Sequence, residues 1–186
     1  MDSFAAWCRT ILPEIDAVLD KMSEREVSAL LTEVTGAEKV FVVGAGRVGL
    51  VMSAFAKRLN HCLVPAFVVG EPTNPNTTPR DLLLVSSGSG ETATIVAVAR
   101  RAKDASARIA LITAHPDSTI GKLADTVLVL PAPTKLHRQG ERRSVQPMTN
   151  LFEQCLYVTC DVLALMIQQQ RGISERELWE RHANLE

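Results

Sequence analysis

Apolar positions follow two rhythms along this chain. Phe4, Trp7, Ile11, Ile15, Val18 and Leu19 recur three or four apart, as on one face of a helix. Pro13 lies inside that run and, having no N–H, predicts a bend or break there. Ser23, ahead of Glu26, reads as a capping box for a second helix with Val27, Leu30 and Leu31 on one side. From residue 39 the rhythm changes. Short continuous apolar runs at 39–43, 65–69, 82–85, 108–113 and 126–130 match strands buried on both faces. Helical patterns ending near His61, spanning 91–104, and running from Ser118 to Ala124 fall between them. Strands that alternate with helices over connections too long for hairpins predict an α/β fold. The expected core is a five-stranded parallel sheet covered on both faces, with right-handed crossovers. Thr149 to Gln170 reads as a long helix that is apolar on most sides, hence buried, often against another subunit. Ser174 and Glu177 then open a last helix.

The chain of 186 residues is long enough for one domain with a proper core. The expected organisation is a single domain over 1–186, with a helical extension at 1–35 and a helical tail at 171–186. A net charge of −1 without a massed basic block argues against a nucleic-acid binder held by phosphate neutralisation. No run approaches the 18 or so apolar residues of a membrane span, and the first residues lack the basic-then-apolar pattern of a leader. Cys8, Cys62, Cys155 and Cys160 show no CxxC spacing. They read as free thiols in a reducing cytoplasm, not as a zinc site.

Candidate chemistry concentrates after the third strand. Leu82 to Val85 runs into Ser86-Ser87-Gly88-Ser89-Gly90-Glu91-Thr92, which brings hydroxyls and flexible backbone to a helix start. Open N–H groups and the helix dipole make such a bend an anion site. A turn serving only geometry and capping would use the same residues. After the first strand comes Gly44-Ala45-Gly46-Arg47-Val48-Gly49, a GxGxxG match that is weak alone. A nucleotide reading would need Glu71 to hold a ribose; close backbone approach to a small ligand is the simpler use. In a 2-1-3-4-5 strand order the two loops face one crevice, where such folds bind ligands. Arg47 either neutralises a phosphate there or bridges subunits. Glu91 is explained by the helix dipole. The basic stretch at 131–147, with Lys135, His137, Arg138, Arg142 and Arg143, reads more readily as a solvated loop than as a segment that reaches an anionic substrate.

The serine bend in this setting resembles the sugar isomerase (SIS) phosphosugar-binding domain. Gly44-Ala45-Gly46-Arg47, Lys57-Arg58-Leu59-Asn60-His61, Val68-Val69-Gly70-Glu71, Gln146-Pro147-Met148 ahead of Leu151-Phe152-Glu153-Gln154, and the ending Arg181 to Glu186 are similar to the 6-phospho-3-hexuloisomerase family. That resemblance implies a flavodoxin-like three-layer fold, a homotetramer and no required cofactor. It implies isomerisation between D-arabino-3-hexulose 6-phosphate and fructose 6-phosphate. It places Ser87, Gly88, Ser89 and Thr92 on the phosphate, Glu153 as proton-transferring base and His61 in the site. With Arg47, Gly90 and Glu91 these are the candidate site residues. From the residues alone, Glu153 is better explained as the third residue of a helix capped by Asn150; the resemblance turns the reading to the base. Val48 departs from the family's Ser, and the loss of a hydroxyl donor costs roughly 1 kcal/mol or more. Thr149 and Asn150 replace a Gly and a small hydroxyl residue. The rival readings are a phosphosugar sensor without catalysis, another aldose–ketose phosphate isomerase and, last, a nucleotide-dependent oxidoreductase.

Overall fold

The computed structural model describes residues 3–135 and 143–185. Its elements run α1 (Phe4–Leu19), α2 (Glu24–Gly36), β1 (Val40–Val43), α3 (Arg47–His61), β2 (Ala66–Val68), β3 (Leu82–Ser86), α4 (Ala93–Asp104), β4 (Arg108–Thr113), β5 (Thr126–Val129), α5 (Asn150–Arg171) and α6 (Glu175–Glu180). The sheet has the order β2-β1-β3-β4-β5 and every pairing is parallel. The expected five-stranded α/β fold is therefore present.

Alternation along the strands builds the three layers. Val40, Val42, Leu82, Leu84, Ala110 and Ile112 point to one side, where they pack with α1, α2, α3 and α5. Phe41, Val43, Leu83, Val85, Ile109 and Leu111 point to the other, against α4 and Ile120. Buried on both faces, the strands have no polar positions to spare, which is why they read as unbroken apolar runs. By length and composition α5 is apolar enough to cross a membrane. Here it is the core helix of the first layer, with Leu151, Phe152, Leu156, Leu163 and Ile167 buried.

Three local expectations are not met as written, two of them because of longer-range contacts. Helix α1 runs unbroken through Pro13; Pro13 and Arg9 are exposed, so the carbonyl that loses its partner faces solvent. Ser23 accepts from the Glu26 N–H, but the Glu26 carboxylate accepts the N–H of Val129 at 2.8 Å. That N–H belongs to the edge strand β5 and has no further strand to pair with. Residues 118–124 form turns instead of a helix. The Ile120 N–H is committed to Gly90 O at 3.1 Å, and a Cβ on Gly121 would lie 1.8 Å from Pro116 O. The basic residues His137, Arg138 and Arg142 lie outside the described residues.

Candidate active site

The carboxyl ends of β1 and β3 and the start of α5 enclose a cavity of about 280 Å³. Its floor is Ser86 to Ser89 with Thr92, one wall is Ala45, Gly46 and Val48, and the opposite wall is Met148, Thr149, Phe152 and Glu153. The glycine-bearing loops after the first and third strands thus meet in one crevice, as expected for adjacent strands at a switch point. The glycines of the first loop serve packing. A Cβ on Gly49 would stand 2.7 Å from Gly44 O, so α3 sits against β1 only because both positions are bare.

The serine bend is tied down on its far side and open toward the cavity. The Ser87 N–H donates to Ile112 O at 3.1 Å, and Gly88 O accepts the Ala114 N–H at 3.2 Å and the Thr113 hydroxyl at 3.2 Å. The Ser87 hydroxyl accepts from the Gly90 N–H at 3.1 Å, and the Ser89 hydroxyl from the Glu91 N–H at 3.2 Å. Both hydroxyl protons stay available to a ligand. The N–H groups of Gly88 and Ser89 make no hydrogen bond among the described residues. Thr92 is the N-cap of α4 but its side chain makes no capping bond. Behind it the first turn of α4 contributes open N–H groups and the positive end of the helix dipole. Gly90 lies beneath the bend at φ +64°. The Glu91 carboxylate turns away from the cavity and accepts the Thr119 N–H at 2.8 Å and its hydroxyl at 2.7 Å. Glu91 therefore braces the bend against the 118–121 turn.

Across the cavity Glu153 is largely buried, with 8% of its surface exposed. The N-cap of α5 is Thr149, one residue earlier than the sequence suggests, and its side chain caps nothing. Its hydroxyl donates instead to Glu153 Oε1 at 2.9 Å. Asn150 is not free to cap, because its Oδ1 accepts from Arg47 Nη1. The same Nη1 lies 3.0 Å from Glu153 Oε2, an ion pair whose geometry leaves Oε2 without a hydrogen bond. Arg47 is more than half exposed, so the pair is screened. The carboxylate faces the hydroxyl-lined bend, with a cation beside it and an apolar wall of Phe152 and Val48 around it. Such a site can hold an anion at one end and exchange a carbon-bound proton at the other.

His61 sits elsewhere in this subunit. It closes α3, a helix of 15 residues, so it lies roughly 21 Å along the axis from Arg47. It is buried and its Nε2 has no partner among the described residues; the His182 ring approaches to 5.7 Å. Burial, then the cations Arg58 and Lys57 and then His182 hold the imidazole below its ordinary value of 6.5, so it is neutral at pH 7. Thr149, Met148, Phe152 and Thr134 line the cavity without having been singled out for it in the sequence. Lys135 lines it too, so the less favoured reading of its basic stretch, a reach toward an anionic ligand, fits this residue better than a solvated loop. Burial pushes the Cys155 thiol up to about 12, consistent with an inert core thiol.

Comparison with known proteins fits this geometry. A family model described as the SIS domain matches residues 33–166. A Mycobacterium gastri protein named 3-hexulose-6-phosphate isomerase is 40% identical over 173 residues, covering 93% of this chain and 86% of that protein. A Bacillus subtilis (strain 168) protein of the same name is 35% identical over 176 residues, 95% of each chain. A crystal structure from Methanococcus jannaschii, described as inferring a function of 3-hexulose-6-phosphate isomerase, superposes with a TM-score of 0.84 at 27% identity. It covers 97% of this chain and 99% of that one. Sheet order, serine bend and sequence similarity over nearly the whole length agree: this chain belongs to the SIS-domain family and, within it, to the isomerases of the 3-hexulose 6-phosphate group.

Proposed function

We propose that this isomerase interconverts D-arabino-3-hexulose 6-phosphate and fructose 6-phosphate through a cis-enediol. The observation that carries the proposal is the single cavity onto which the hydroxyl-rich bend and the Glu153 carboxylate both open. The names of the M. gastri and B. subtilis relatives support the choice of sugar.

In this reading the phosphate rests on the hydroxyls of Ser87, Ser89 and Thr92, on the N–H groups of Gly88 and Ser89, and on the start of α4. Gly90 and Glu91 keep the bend in shape. Arg47 and Lys135 supply positive charge at the rim. Held at its phosphate end, the sugar presents its C2–C3 bond to Glu153. The carboxylate takes the proton from C3 of fructose 6-phosphate. The C–H electron pair becomes the C2=C3 double bond, and the C2 carbonyl oxygen gains a proton. The C3 hydroxyl then gives up its proton to become the carbonyl, and Glu153 returns the carbon proton to C2. Electrons and atoms balance within the sugar, so the step calls for no redox carrier.

The proposal includes a soluble, cytoplasmic homotetramer. Tyr157, Val162 and Leu165 on α5 and Leu50 on α3 are exposed, an apolar surface suited to covering by another copy. In such an assembly His61 and the tail beside it would work at a neighbour's cavity, with the neutral imidazole moving the proton of ring opening.

The test is to incubate the pure protein with fructose 6-phosphate in D₂O and follow the sugar by NMR. Deuterium entering at C3 is the expected result. Entry at C1 would point to an aldose–ketose isomerase, and binding without any exchange would make the chain a sensor; either result overturns the proposal.

A further inference from the structure

We infer that Thr149 is a positioning residue for the proton-transferring carboxylate, an inference that rests on the reading of Glu153 as the carbon base. A threonine at a helix N-cap ordinarily turns its oxygen to the N–H groups of the first turn. Thr149 makes no such bond. Its hydroxyl donates to Glu153 Oε1 at 2.9 Å, so a cap position one turn away reaches into the site. The second carboxylate oxygen faces Arg47 at 3.0 Å without a hydrogen bond, and that arginine is mostly solvent-exposed. Thr149 is therefore the shorter and better shielded of the two restraints on the carboxylate plane.

Thr149 is itself held from outside the cavity. Its segment, 143–149, is irregular and is clasped by Glu14 of α1. Glu14 Oε2 accepts the Ser144 hydroxyl at 2.7 Å and the Gln146 amide at 3.1 Å. Glu14 Oε1 accepts the Val145 N–H at 3.0 Å. Met148 then turns the chain at φ +57°, a conformation rarely held by a non-glycine residue without support from its surroundings. This fixed entry sets Thr149 over the carboxylate. Helix α1 lies outside the 33–166 span of the family match, so an element added to the domain braces the site through this segment.

Two substitutions separate positioning from mere structure. Thr149→Val keeps the β-branched shape and removes the hydroxyl; Thr149→Ser keeps the hydroxyl and removes the methyl. Both are followed by melting temperature, kcat, KM for fructose 6-phosphate, and the ratio of deuterium wash-in to conversion. Thr149→Val is expected to melt close to the parent and to lower kcat roughly tenfold at unchanged KM. It should also raise wash-in per turnover, because a loosely held carboxylate exchanges its proton with solvent before returning it. Thr149→Ser is expected to restore both quantities. A valine variant with parental kcat and wash-in, or a serine variant that fails to restore them, overturns the inference alone. A parent protein with neither exchange nor conversion overturns the proposed reaction, and this inference with it.

Discussion

Gly90 is the position at which the bend is least replaceable, and the geometry sets the size of the effect. Its φ is +64°, a region that costs an L-residue with a side chain roughly 1–2 kcal/mol. A Cβ there would also stand 1.9 Å from Ser118 Oγ and 2.4 Å from Ser118 Cβ. Ser118 cannot step aside freely: it is buried, and its oxygen accepts the Gly121 N–H at 3.2 Å. Overpacking of that kind costs about 1–3 kcal/mol. Gly90→Ala should therefore lose about 2–5 kcal/mol, which for a chain of this size lowers the melting temperature by roughly 4–20 °C. The neighbouring Gly88→Ala is the control. Its Cβ would meet nothing closer than the Thr134 methyl at 3.5 Å, so its melting temperature should hardly move, although the methyl enters the cavity and should raise KM. Adding Ser118→Gly to Gly90→Ala removes the overlap but not the backbone cost, so it should recover only part of the loss. Melting by differential scanning fluorimetry of the three variants is the assay. A Gly90→Ala protein as stable as the parent, or a Gly88→Ala protein equally crippled, would refute the argument that this bend is set by backbone sterics.

Other consequences can be checked on the same protein. Ser87→Ala combined with Ser89→Ala removes two hydroxyl donors from the cavity floor and should raise KM for a phosphorylated sugar about tenfold or more, with kcat less affected; an unchanged KM would place the phosphate elsewhere. Glu153→Gln keeps the shape and an acceptor for Thr149, so its melting temperature should change little, while C3 exchange should fall by a factor of about 10² or more; retained exchange would remove Glu153 from the chemistry. Asp81 gives an acid-stability test. Burial alone would raise its carboxyl, but the Thr78 N–H, the Lys39 ammonium and the Thr78 hydroxyl together hold it below the ordinary 3.8. A depressed folded value contributes stability in full above the unfolded value and loses it as pH falls through the folded one. Urea midpoints of the parent should therefore drop below about pH 4 and those of Asp81→Asn should drop less; parallel curves would contradict the assignment.

The strands are legible in the sequence because a strand buried on both faces reads as an unbroken apolar run; their order is not carried by those runs and enters only with the flavodoxin-like resemblance. The serine bend is legible as a strand-to-helix turn from its hydroxyls and glycines, and its setting among the neighbouring motifs, not its composition alone, separates an anion site from a plain turn. Hydrogen-bond ownership is what the linear pattern does not carry. Glu26 has a local capping partner in Ser23 and a distant one in the Val129 N–H. Asn150 fits a cap but is held by Arg47, and Thr149, next to it, is drawn to Glu153. In the 118–124 stretch, Ile120 gives its N–H to Gly90 and not to the helix its composition suggests. At Glu26, Thr149 and Ile120 a group with several possible neighbours meets a buried or edge group with few. The second decides, because an unsatisfied buried donor or acceptor costs more than a surface cap gains. Two of these exchanges, at Ile120 and Thr149, lie at the carboxyl edge of the sheet, where loops converge and buried polar groups are most crowded. Local rules are therefore weakest beside the cavity proposed to hold the chemistry, and a cap residue whose side chain leaves its own helix is itself a signal that a site is near.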